Sequence, residues 1–105
     1  MKAKVVPFRM TEQHAKRMLA EIAASSISVV FTDHARKQMR KRRITLPQVV
    51  SCLKKGKITE APVLDHYGNW KVTVERYACG ENVGCGVAID TSSPKAIIIT
   101  AFWVK

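Results

Sequence analysis

The chain has 105 residues, 47% of them hydrophobic, which suits one domain with one core and leaves no length for a second. Eighteen Lys and Arg against eight Asp and Glu give a net charge of +10, so the field favours polyanionic partners. The sequence has no apolar run of membrane-spanning length and no secretory leader, so a cytoplasmic protein without a membrane partner is expected.

Residues 1–9 read as an extended arm, because Pro7 disfavours helix. Thr11 caps a helix to about Ala24, on which Ala15, Met18, Leu19, Ile22 and Ala23 recur at helical spacing. This is a packing helix, with a displaceable partner-binding helix as the alternative. Ser28 to Thr32 is a short β-branched strand. Asp33 then has the side chain of an N-cap, opening a second helix to about Arg43. Thr45-x-x-Gln48 is a capping box for a third helix, with Pro47 in its first turn and Gly56 placed as its C-terminal stop.

From Lys57 the pattern becomes strand-like. Lys57 to Asp65 is a first strand, confined by Pro62 to an edge or a bulge. A turn over 66–69 leads to a half-buried strand from Trp70 to about Ala78. After a turn over 79–82, Val83, Cys85, Val87 and Ile89 alternate with Gly84, Gly86 and Ala88. The small residues leave room for a helix or ligand to approach. Ala96 to Val104 is apolar on both faces and reads as a central strand. The order predicts an α+β domain, its N-terminal helices packed on one face of a mostly antiparallel sheet of four to five strands.

The cations are concentrated. Residues 33–57 carry nine Lys or Arg (36, 37, 40, 41, 42, 43, 54, 55, 57), half the total, and one acid, Asp33. On a helical wheel Ala35, Met39 and Arg42 share one stripe. Arg36, Arg40 and Arg43 lie on one flank, and His34, Lys37 and Lys41 on the other. Arg42 therefore points inward, which is costly unless it is paired or faces a cleft.

No Gly-rich phosphate loop opens a helix, so no nucleotide cofactor is expected. The eight acids are scattered, which does not suit a two-metal nuclease. Cys52, Cys79 and Cys85 read as small buried residues with free thiols. A site built from Cys79, Cys85 and His66 has no zinc-knuckle spacing, so no metal is assigned. The residues present do suit metal-independent RNA cleavage, which needs a proton acceptor for the 2′-hydroxyl, a donor for the 5′ oxygen and fixed cations at the phosphate. His34 can serve as acid or base. Arg36, Arg40, Arg42 and Arg43 are candidate phosphate clamps. A solvated cationic face that binds nucleic acid without chemistry, and an interaction protein whose basic face docks an acidic partner, are the competing readings. His66, Tyr67, Trp70 and Tyr77 are candidates for stacking a base, with Trp70 better placed in the core.

The run His34-Ala35-x-x-x-Met39-x-x-Arg42-x-Ile44-Thr45, with a closing Ile98-Ile99-Thr100-Ala101-Phe102, resembles a bacterial domain of unknown function. Its members show a His-Ala-x-x-x-Met-x-x-Arg-Gly-Ile pattern and look related to RelE-type toxins of the barnase/RelE-like group. The resemblance covers about residues 30–104. It divides a single domain into an N-terminal arm and helix, 1–27, and a RelE-like core, 28–105. It implies an endoribonuclease acting on mRNA, including mRNA on the ribosome, paired with a small antitoxin. His34, Arg42 and Thr100 match the family's polar signature and form the expected catalytic set. Arg36, Lys37, Arg40, Lys41, Arg43, Lys54, Lys55 and Lys57 would bind the RNA backbone. Arg43 stands where the pattern has Gly, which disfavours a left-handed turn there.

Overall fold

A computed structural model describes residues 9–25, 28–78 and 80–104. Residues 1–8 of the expected arm and the reading of Cys79 fall outside the described residues. The elements are α1 (Glu12–Ala24), β1 (Val29–Phe31), α2 (Asp33–Arg42), α3 (Leu46–Lys55), β2 (Lys57–Leu64), β3 (Trp70–Ala78), β4 (Glu81–Asp90) and β5 (Lys95–Trp103). The five strands form one sheet in the order β1-β5-β4-β3-β2. Only the β1–β5 pair is parallel. This is an α+β fold with its helices ahead of most of the sheet.

The helix boundaries follow from caps. Thr11 accepts a hydrogen bond from the His14 N–H at 3.0 Å and starts α1. Thr45 and Gln48 form both halves of the capping box at α3. Gly56 ends α3 with φ −70°, so it is not needed for a left-handed turn. It is needed for proximity, since a Cβ there would lie 2.2 Å from the Cys52 carbonyl oxygen.

Alternation along the strands separates two faces. Val72 and Val74 of β3, Val83, Cys85, Val87 and Ile89 of β4, and Ala96, Ile98 and Ala101 of β5 are buried. They meet Ala15, Leu19, Ile22 and Ala23 of α1 and Val49, Cys52 and Leu53 of α3 in one core. Cys52 and Cys85 adjoin within it, and the Cys52 thiol donates to the Val83 carbonyl at 3.2 Å. Hydrogen bonding to Cys52, together with burial, holds the Cys85 thiol well above its ordinary pKa. Both thiols are buried, as the sequence suggested.

The opposite face carries no helix from α1 or α3. The small residues Gly84 and Gly86 do not admit a helix there. They make room for β5 itself: a Cβ at Gly84 would lie 2.4 Å from the Phe102 ring, and one at Gly86 2.8 Å from Thr100 Cγ2. The β3–β4 turn is tighter than expected. β4 already begins at Glu81, and Gly80 supplies the positive φ of 80°. β2 is an edge strand with register shifts on both sides of Glu60, the irregularity that Pro62 implied.

Candidate nucleic-acid interface at the α2–β5 seam

β5 lies inside the sheet between β1 and β4, as its composition suggests, but only its β4 edge is paired along most of its length. β1 covers it at Ala96, Ile97 and Ile98 and then stops. Beyond that point α2 takes the place of a strand. Thr32 continues the ladder for one bond, its N–H donating to the Ile98 carbonyl at 3.1 Å. The chain then turns into helix. Thr32, not Asp33, is the N-cap: its hydroxyl oxygen accepts from the Ala35 N–H at 3.1 Å. The same hydroxyl is within 3.1 Å of the Ile98 carbonyl and 3.3 Å of the Ile99 carbonyl, a second role that Asp33 lacks the proton to fill.

A β-bulge sets up the next contacts. Val87 pairs with Ile98 while Gly86 pairs with Thr100, so β5 spends one extra residue at Ile99. Past the bulge, Ala101 turns both backbone groups toward α2. Its N–H donates to Gln38 Oε1 at 3.1 Å, and its carbonyl accepts from Arg42 Nη1 at 2.8 Å. The Thr100 hydroxyl also donates to Gln38 Oε1. Trp103 closes the seam, its indole N–H donating to the Arg42 carbonyl at 2.8 Å. The polar stripe of α2 thus satisfies a strand edge that would otherwise be bare.

Arg42 and Thr100 are therefore brought together, through Gln38 and Ala101, from 58 positions apart in sequence. Arg42 is not inward as expected. It is exposed, and its guanidinium engages the β5 backbone through one nitrogen. One of five N–H donors is used there. His34 is exposed in the first turn of α2, one turn before Gln38. Among the described residues no hydrogen bond joins His34 to Arg42 or Thr100. His34 and Arg42 stand roughly 12 Å apart along the helix axis, with Gln38 midway.

Gln38 went unremarked in the sequence because an amide on a cationic helix looks like surface. The signal was its wheel position, on the same side of the inward stripe as His34 and directly beside Arg42.

The cations sort onto two sides. Arg36 and Arg40 line a groove of about 540 Å³ with Val29, Phe31, Leu46 and Val50, on the helix-covered side. The Arg36 guanidinium lies 5.8 Å from the centre of the Phe31 ring. Lys37 and Lys41 are exposed on the His34 flank. Lys54 and Lys55 end α3, and Lys57 begins β2, so these three form a separate patch roughly 15 Å along α3 from its start.

Arg43 adopts the left-handed conformation that its side chain disfavours, at φ 57° and ψ 41°. The Ile44 N–H reaches the Met39 carbonyl at 2.9 Å and the Arg43 N–H reaches the Arg40 carbonyl at 3.4 Å, which is a Schellman closure. Ile44 is buried and Met39 packs against the core, supplying the usual apolar contact across that closure. Among the described residues, no three His, Cys, Asp or Glu side chains group as metal ligands.

A family model for a domain of unknown function (DUF4258) matches residues 31–103. The chain belongs to that family. No curated protein and no solved structure matches it. The family segment runs from the end of β1 to the end of β5 and so contains the whole seam. It leaves out α1, although in this chain α1 contributes Leu19 and Ile22 to the core that backs the segment. The left-handed cap at Arg43 is a backbone position that suits Gly.

Proposed function

We propose that the protein is a metal-independent endoribonuclease of the RelE-like kind, acting on mRNA in the cytoplasm and paired with a small antitoxin protein. The observation that carries this is the even spacing of His34, Gln38 and Arg42 along α2, with Thr100 held at the middle position. A phosphate seated over Gln38 and Thr100 would have an imidazole on one side and a guanidinium on the other, each about 6 Å away along the axis and within side-chain reach. The 2′-hydroxyl attacks phosphorus, its proton passing to a base, while the bond to the 5′ oxygen breaks and that oxygen takes a proton. The products are a cyclic phosphate and a free 5′-hydroxyl. His34 would transfer a proton. Arg42 would place its remaining N–H donors on the phosphate oxygens as charge develops. Thr100, bonded to Gln38, would help to orient the catalytic side chains of α2. Lys37 and Lys41 would hold the backbone on the His34 flank, and Arg36, Arg40 and Arg43 on the other.

One observation favours a second reading. Arg42 and Thr100 already bond to the protein's own backbone and to Gln38, so the seam is complete without a substrate. A non-catalytic RNA-binding module would look the same. Induced expression in a bacterium separates the two. An endoribonuclease arrests growth and fragments mRNA, and His34→Ala abolishes both while retaining RNA affinity. Cleavage at the wild-type rate in His34→Ala would remove His34 from the mechanism. Intact mRNA with wild-type protein, together with salt-dependent RNA binding, would select the binding module.

A further inference from the structure

The open face of the sheet contains two adjoining grooves that meet the seam only at Thr100. One part, of about 690 Å³, is lined by Glu60, Val63, Lys71, Thr73, Ile99 and Thr100. The next, of about 320 Å³, is lined by His66, Tyr67, Asn69, Ala88 and Ile97. Lys71 and Ile99 border both, so the two parts adjoin and are taken together as one channel. Strand register gives it two rows. Glu60, Thr73, Gly86 and Thr100 lie opposite one another across four strands, and so do Val63, Lys71, Ala88 and Ile97. The rows are two residues apart on β3 and β4, or about 7 Å. The channel begins at Thr100, the residue tied to α2, and ends at the β2–β3 turn.

That turn is built to present a ring. The Asp65 carboxylate accepts from the Tyr67 N–H at 2.8 Å and from the Asn69 N–H at 2.9 Å, and Gly68 takes a φ of 85°. Tyr67 is 78% exposed although its backbone is fixed, and its ring centre lies 4.1 Å from that of His66. Near it, Val63 on the same face is 64% exposed. An aromatic face held outward over an apolar floor, with one lysine between it and a hydroxyl, has the chemistry that single-stranded nucleic acid recognises. The ring stacks a base, and the ammonium holds the adjoining phosphate.

We infer that this channel is a nucleotide subsite for single-stranded RNA, with Tyr67 stacking a base and Lys71 binding the phosphate next to it. The inference rests on the RNA reading of the α2–β5 seam and extends it: the strand leaves Thr100, crosses the sheet over Ile99 and reaches the hairpin tip. Glu60 and Thr73, hydrogen-bonded to each other on the floor, offer polar contacts to ribose or base and not to phosphate.

The test is fluorescence anisotropy with a labelled short 2′-O-methyl oligoribonucleotide, which lacks the nucleophile and stays intact. Tyr67→Ala weakens binding about ten-fold, and Tyr67→Phe stays near wild type, since stacking needs the ring and not the hydroxyl. Lys71→Ala lowers the slope of log affinity against log salt by about 0.7. Wild-type affinity in both Tyr67→Ala and Lys71→Ala, with loss in Arg36→Ala/Arg40→Ala, would overturn the subsite and leave the RNA reading standing. No binding by the wild-type protein would overturn both. A Tyr67 patch that docks protein instead would give the first of these results.

Discussion

Helices α2 and α3 are each ten residues long and each capped by a threonine, yet they are held in place by different means. α3 buries Val49, Cys52 and Leu53 against the sheet, while α2 fully buries only Ala35. Helices this short are marginal in water and depend on tertiary contacts. For α3 those contacts are apolar. For α2 they are chiefly hydrogen bonds between β5 and Thr32, Gln38 and Arg42, with Gln38 accepting and the other two donating, assisted by half-buried Met39. The difference shows where function has room. Every buried side chain of α3 is committed to the core, whereas α2 keeps its polar groups at the surface, anchored but within reach of a ligand.

The sharpest contrast lies in stability. Leu53→Ala removes one of the largest fully buried side chains and should cost about 2–5 kcal/mol, read as a lower urea midpoint. Gln38→Ala should cost less, about 1–3 kcal/mol, because the Ala101 N–H and the Thr100 hydroxyl lose their acceptor at a site that water partly reaches. The location of the damage matters as much as its size. In Gln38→Ala the amides of α2 should exchange faster while those of α3 keep their protection, since local opening can precede global unfolding. Uniform loss of protection in both helices would mean that the seam is part of the core, and the distinction between them would fall.

Much of α3 was legible in the sequence, because its caps and apolar face are local and periodic. α2 was legible as a helix but not in its setting. Asp33 and Thr32 are both good caps by type, and Thr32 prevails because its hydroxyl also reaches the Ile98 and Ile99 carbonyls, a contact across 66 or more positions. Arg42 was placed on the correct stripe but at the wrong depth, since a wheel gives direction and says nothing about where the neighbouring sheet ends. β5 read as central because it is apolar on both faces, and it does lie inside the sheet, between β1 and β4. Its second apolar face floors the open channel with Ile97 and Ile99. The bulge at Ile99 leaves no mark in composition, and without it the partnership of Gln38 and Arg42 with Ala101 cannot be anticipated.

The smallest expected effect is also the one most specific to α2. Arg43 holds a left-handed backbone that costs an L-residue with a Cβ about 1–2 kcal/mol. Replacement by Gly removes that cost but gives the unfolded chain more freedom, worth about 0.5–1 kcal/mol in the opposite sense. The net expectation for Arg43→Gly is stabilisation by about 0.5–1 kcal/mol, seen as a higher melting temperature. Arg43→Ala deletes the same charge but keeps a Cβ in the left-handed turn, so it should bring no such gain. The pair separates backbone from charge. If both variants stabilise equally, repulsion among Arg40, Lys41, Arg42 and Arg43 at the end of α2 is the dominant strain. If only Gly does, the conformation is. RNA binding supplies the second half of the measurement. Should Arg43 contact a phosphate, both variants lower the salt slope by about 0.7 whatever they do to stability. Retaining Arg at a position shaped for Gly would then have a physical reason in binding.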